Sequence, residues 1–254
     1  MTFSTETIDE IASAAKALGV EPAALLAIAE VESGGKAFAL VSGRREPLIR
    51  FEGHYFDRRL SAQKRQQARV QGLASPTAGA VANPATQAAR WRLLGRAAAI
   101  DHQAAHESAS WGIAQVMGAH WRWLGYQDVD ALVAEARSGV AGQIRLMMRY
   151  IEKSGLTAAI NRRDWEGFAR GYNGPDYKRG GYDTKIAAAY EKYRARYGGS
   201  QTANPTRPET SSDRPALAKP VAGQARPLPQ PGSNSDQTIW QRALSYVQAL
   251  FGMR

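Results

Sequence analysis

Residues 25–35, LLAIAEVESGG, form an apolar run that ends on a carboxylate and two glycines. Leu25, Ile28, Ala29 and Glu32 are spaced by three, one and three positions, which places them on one face of a helix. Glu21-Pro22 reads as the start of that helix, with proline at the first helical position. Gly34-Gly35 stops it. Glu32 therefore stands in the last turn of a buried stripe. A carboxylate there is partly stripped of water, which disfavours its charged form and raises its pKa toward the range a general acid needs near pH 7. The competing reading is a surface glutamate that curls to solvent, as most helical glutamates do. Glu30 lies about 200° round the helix from Glu32 and is the natural control.

The chain on either side is mainly helical in pattern. Upstream, Thr7 and Glu10 fit a capping box for a first helix that carries Ile8, Ile11, Ala15 and Leu18 inward and ends at Gly19. Downstream, LIRFEGHYF (residues 48–56) alternates in a short strand-like pattern, with Gly53 as a turn or bulge. Residues 56–104 read as helix broken by the loop LASPTAGAVANPAT, and further helices are expected around 109–118, 128–136, 138–154, 156–160, 164–172 and 183–197. The fold class is thus mainly α, with a small β element.

Composition limits what such a domain can do. The 254 residues include no cysteine, which excludes disulfides, iron–sulfur clusters and thiol nucleophiles. None of the four histidines (His54, His102, His106, His120) falls in an HExxH spacing, so no metal and no cofactor are expected. The net charge of +10 points to an anionic partner. No nucleic-acid recognition pattern accompanies it, so nucleic acid is not the expected partner. The N-terminus lacks a basic region followed by an apolar one, which predicts synthesis in the cytoplasm without a signal peptide. Three segments are expected: a domain over residues 1–198, a Pro-rich disordered linker over 199–235 and an amphipathic helix over 236–254. The linker has seven of the twelve prolines and no aromatic residue. The helix carries Arg242 and Arg254 as its basic residues, which favours docking or weak membrane contact over strong lysis.

Two further stretches matter. SASWGIAQVMG (residues 108–118) gathers Gly112, Ile113, Gln115 and Met117, and FARGYNGP (residues 168–175) puts Tyr172 and Asn173 at a helix end. Separately, these read as core packing around a bend and as an ordinary helix stop. Together with Glu32-Ser33, and in this order, they resemble the lysozyme superfamily, especially goose-type lysozymes and soluble lytic transglycosylases. LLAIAEVESGGKAF, FEGHYF, SASWGIAQVMG, FARGYNGP and GYDTKIAAAY more specifically resemble the N-acetylmuramidase family of phage and bacterial endolysins. The resemblance spans roughly residues 10–195.

That resemblance implies a lysozyme-like α+β fold and cleavage of the bond between N-acetylmuramic acid and N-acetylglucosamine in peptidoglycan. It makes Glu32 the proton donor and Ser33 a residue shaping the site. Gln115 and the backbone near Met117 would line the groove. Tyr172 would hydrogen-bond near Glu32, and Asn173 would hold the turn. Glu52 is the candidate second carboxylate, with an ion pair to Arg44, Arg45 or Arg50 as the equally weighted alternative. His54 and Tyr55 are candidates for sugar contact. An inverting hydrolase needs its two carboxyls about 6.5–9.5 Å apart and a retaining one about 5–5.5 Å. A lytic transglycosylase needs no second carboxylate, because the sugar's 6-hydroxyl attacks and leaves a 1,6-anhydro end. A non-catalytic, tail-associated wall binder on the same fold is the third reading. The basic run RRLSAQKRQQAR (residues 58–69) is read as a solvated face with a capacity for anionic wall groups. The expected partner is the peptidoglycan strand, reached by a monomer through holin-type release into the periplasm or wall.

Overall fold

The computed structural model describes residues 2–197. The linker and helix expected over 199–254 lie outside the described residues. Helix α1 (Thr5–Ala17) is capped by Ser4, whose hydroxyl accepts from the Thr7 backbone N–H at 3.2 Å. The Thr7–Glu10 capping box is thus corrected by one turn: Ser4 already satisfies the free N–H at the helix start. Ile8, Ile11 and Ala15 are buried as expected, but Leu18, just past the helix end, is 39% exposed.

Helix α2 (Pro22–Ser33) has proline in its first turn and ends at Gly34, whose φ of 62° is the left-handed conformation glycine adopts without steric cost. Ala23 through Ala29 are all buried, so the helix is apolar all round rather than striped. It is the central element, packed against α1 and against the long last helix, α12 (Tyr182–Tyr197).

The β structure is richer than the sequence reading. Strands β1 (Phe38–Val41) and β2 (Arg44–Pro47) form an antiparallel hairpin through Ser42-Gly43, both at positive φ as a tight hairpin turn demands. A second sheet has the order β3 (Ile49–Phe51), β4 (Ala109–Trp111), β5 (Val116–Met117), all antiparallel. The strand expected over 48–56 is cut short, because helix α3 (Gly53–Arg59) begins directly after Glu52. The helix expected over 109–118 is replaced by β4, a turn and β5. Gly112 and Gln115 both take positive φ there, which a helix cannot accommodate.

The outer edge of β3 is sealed by side chains. Asn83 accepts from the Phe51 N–H at 2.9 Å and donates to its carbonyl at 2.7 Å. Gln87 does the same at Ile49, at 2.9 and 3.2 Å. The two amides act as a substitute strand, which gives the Ala/Pro-rich loop a structural role. The loop joins α4 (Ala62–Val70) to α5 (Gln87–Ala98). The remaining elements are α6 (His102–Glu107), α7 (Val129–Arg137), α8 (Val140–Lys153), α9 (Thr157–Arg162), α10 (Trp165–Asn173) and the short α11 (Tyr177–Gly180). The domain is mainly helical, in agreement with the expected class. Among the described residues no helix is long and apolar enough to cross a membrane.

Candidate active site

Three of the sequence blocks meet where α2 and α10 end. Asn173, the last residue of α10, donates from Nδ2 to Oε1 of Glu32 at 3.0 Å. Tyr172, beside it, donates from its hydroxyl to the carbonyl of Ala114 at 3.1 Å, inside the 112–115 turn. Asn173 thus bonds directly to Glu32, and Tyr172, whose phenol feels the charge of Glu32, ties α10 to the turn. Local capping fixes this geometry. Asp164 caps the start of α10 through the Gly167 N–H at 2.8 Å, and Gly174, at φ 82°, ends it.

Glu32 is half-buried, and its carboxyl is crowded by neighbours. Burial drives its pKa up to about 7, against a smaller downward pull from Asn173. Three tyrosines surround it: Tyr150, Tyr172 and Tyr182 all feel its charge. Burial is the first cause of their raised pKa values; Tyr150 reaches about 12. Neutral phenols beside a carboxyl supply polarisability without a counter-charge, so nothing there holds Glu32 in its anionic form except one amide hydrogen bond. Asn173 is 2% exposed, and its Oδ1 has no hydrogen-bond partner among the described residues.

The other expected residues sit elsewhere in function. The Ser33 hydroxyl donates to the Ala29 carbonyl at 2.7 Å and accepts from the Gly35 N–H at 3.2 Å, so it finishes the helix. Gln115 spends its whole amide on the turn. Nε2 donates to the carbonyls of Gly112 (2.7 Å) and Leu48 (3.3 Å), and Oε1 accepts from the Ser110 hydroxyl at 2.9 Å. Met117 is buried in β5. Glu52 is 8% exposed at the start of α3, where its Oε1 accepts from Arg50 Nε at 2.6 Å. Of the arginines weighed as ion-pair partners, Arg50 is thus engaged. His54 Nδ1 lies 3.5 Å from the other oxygen of Glu52, and its buried ring packs edge-on against Tyr55 at 5.0 Å.

The N-acetylmuramidase family model matches residues 21–194. The chain belongs to the N-acetylmuramidase family. Among solved structures, the crystal structure of Burkholderia AP3 phage endolysin is 35% identical. The match covers 74% of this chain and 71% of that one, with a TM-score of 0.64. No curated protein matches the chain.

Within this muramidase, the basic run over 58–69 lies on a largely exposed face, as expected, and its charged side chains also make structural ties. Arg69 grips Asp57 with two bonds, at 2.6 and 2.8 Å, and Arg65 donates to the carbonyls of Asp57 and Leu60. Arg59 pairs with Glu107 and Lys64 with Asp101. The hydrogen bond from Arg69 pulls the Asp57 carboxyl below the usual carboxylate range. Tyr150 was a plain member of a helical pattern, and Tyr182, though inside the GYDTKIAAAY block, was given no role there. Among the described residues no group of three or more His, Asp or Glu side chains is placed to hold a metal.

Proposed function

We propose that this muramidase is an endolysin-type enzyme acting at the cell wall, and that it cleaves the glycosidic bond between N-acetylmuramic acid and N-acetylglucosamine. Glu32 is the general acid. The supporting observation is its state: half-buried, with a pKa of about 7 and one donor, Asn173, on the carboxyl. Such a group keeps a substantial protonated fraction near neutral pH and can give that proton to a leaving oxygen. The Asn173 amide then bonds to the carboxylate that proton transfer creates, which favours the departure of the proton at the right moment. Glu52 is the group assigned to the second step, as base or nucleophile.

A second reading has a specific observation in its favour. The Glu52 carboxylate is buried and tied to Arg50. A carboxylate held that way is a poor candidate for activating water, whereas a lytic transglycosylase needs none.

The test is mass spectrometry of muropeptides released from purified walls. Hydrolysis at the proposed bond gives reducing muramic acid ends, transglycosylation gives anhydro ends, and reducing glucosamine ends would reassign the bond. Glu32→Gln should abolish turbidity loss of wall suspensions while the protein stays folded. Activity at the parental level would overturn the assignment of the acid.

A further inference from the structure

We propose that Trp123, with His120 and Tyr150, forms a sugar-stacking subsite that takes an N-acetylated amino-sugar ring of the glycan strand beyond the cleavage point. Trp123 lies in the turn after the 3-10 segment Gly118–His120 and is 44% exposed. The other tryptophans nearby are wired into the fold. Trp91 donates to the Pro47 carbonyl, Trp111 to the His106 carbonyl and Trp121 to Glu107. Trp123 has no such bond among the described residues, and its ring contributes little to the core.

Its ring is nevertheless held. It packs edge-on against Tyr150 at 5.7 Å and 80°, and against His120 at 5.7 Å and 64°. Tyr150 in turn meets Tyr172 at 5.3 Å and 78°, and its phenol feels the charge of Glu32. A continuous line of rings therefore runs from open surface to the surroundings of the acid. An exposed, orientationally fixed indole is the residue type that binding surfaces use, because it offers a large rigid face at little cost in side-chain entropy. The pyranose ring has an apolar C–H face that matches it. The neutral indole offers no counter-charge to the ionised peptide stems, so the subsite is directed at the sugar face.

The inference rests on the muramidase reading of Glu32, and the experiment separates the two. Binding of peptide-free glycan strands is measured on the full-length chain carrying Glu32→Gln, alone and with Trp123→Ala, Trp123→Leu or Trp123→Phe. Trp123 is exposed, so these changes leave the core alone. Trp123→Ala and Trp123→Leu should weaken binding of long strands about tenfold, and Trp123→Phe should keep most of the affinity. Equal affinity for Trp123→Ala, or rescue by Leu as complete as by Phe, would overturn the subsite. Release of new reducing or anhydro ends by the Glu32→Gln chain would instead strike the acid assignment, and it is scored on its own.

Discussion

Glu30 and Glu32 leave the same helix two residues apart and meet opposite environments. Glu30 faces α12, where its carboxylate accepts from Lys192 at 2.9 and 3.0 Å and from the Tyr193 hydroxyl. Glu32 faces phenols and an amide. Its folded pKa of about 7 lies above the ordinary 4.5, so the folded state keeps a proton that the unfolded chain has released. Stability therefore falls as pH rises from about 4.5 to about 7 and is flat above. The full shift corresponds to about 3 kcal/mol, an upper bound on what the group contributes. Glu32→Gln removes that penalty. Thermal melts should show the variant more stable than the parent by about 1–3 kcal/mol at pH 8, with the difference vanishing below pH 5. The parent's cleavage rate should fall about tenfold per pH unit above pH 7, as the acid loses its proton. Glu30→Gln should keep the activity and cost less than about 1 kcal/mol, since Gln still accepts from Tyr193 and only a part-exposed ion pair is lost. A Glu30→Gln enzyme as inactive as Glu32→Gln would mean that Glu30 is no neutral control; an inactive Glu30→Gln beside an active Glu32→Gln would reverse the assignment.

The β3 edge shows what an element needs beyond its own sequence. Three residues are too few for a stable strand, and β3 survives because β4 pairs one side and two side-chain amides pair the other. Asn83→Ala strands the N–H and carbonyl of Phe51 in a part-buried site, at a cost of about 1–3 kcal/mol by denaturant unfolding. Gln87→Ala should cost a similar amount, and a loss below about 0.5 kcal/mol for both would show that water replaces the amides. These pairings explain where reading the sequence stopped. Helix α2 was legible from end to end because Pro22 and Gly34 are local signals. The β1–β2 hairpin was not, because Ser42-Gly43 is a weaker turn signal than Asn-Gly or Asp-Gly. The stretch over 109–118 was misread because a short apolar run has no period that separates helix from strand. At the site, the spacing of Glu32 left a surface glutamate as the competing reading, and the family resemblance of the three blocks singled it out. The Asn173–Glu32 bond joins residues 141 positions apart, and no local pattern encodes it.

At the scale of the molecule the decisive quantity is charge. Residues 1–198 hold 27 basic and 20 acidic side chains, a net +7. Many of the arginines are committed to ion pairs inside the fold, among them Arg50, Arg59, Arg69, Arg137 and Arg145. Pairing removes their short-range contacts from the surface but leaves the net charge, and with it the long-range field, unchanged. A field of this kind speeds encounter with an anionic wall and contributes little to the bond-breaking step. Salt separates the two. Between about 0.01 M and about 1 M the screening length shrinks from about 30 Å to about 3 Å. Clearing of wall suspensions should slow several-fold over that range while the melting temperature moves little, because part-exposed ion pairs each contribute little to stability. The ends released per cleavage should stay the same at every salt concentration. A flat salt profile would show that encounter does not use the charge, and that the arginines serve the fold alone.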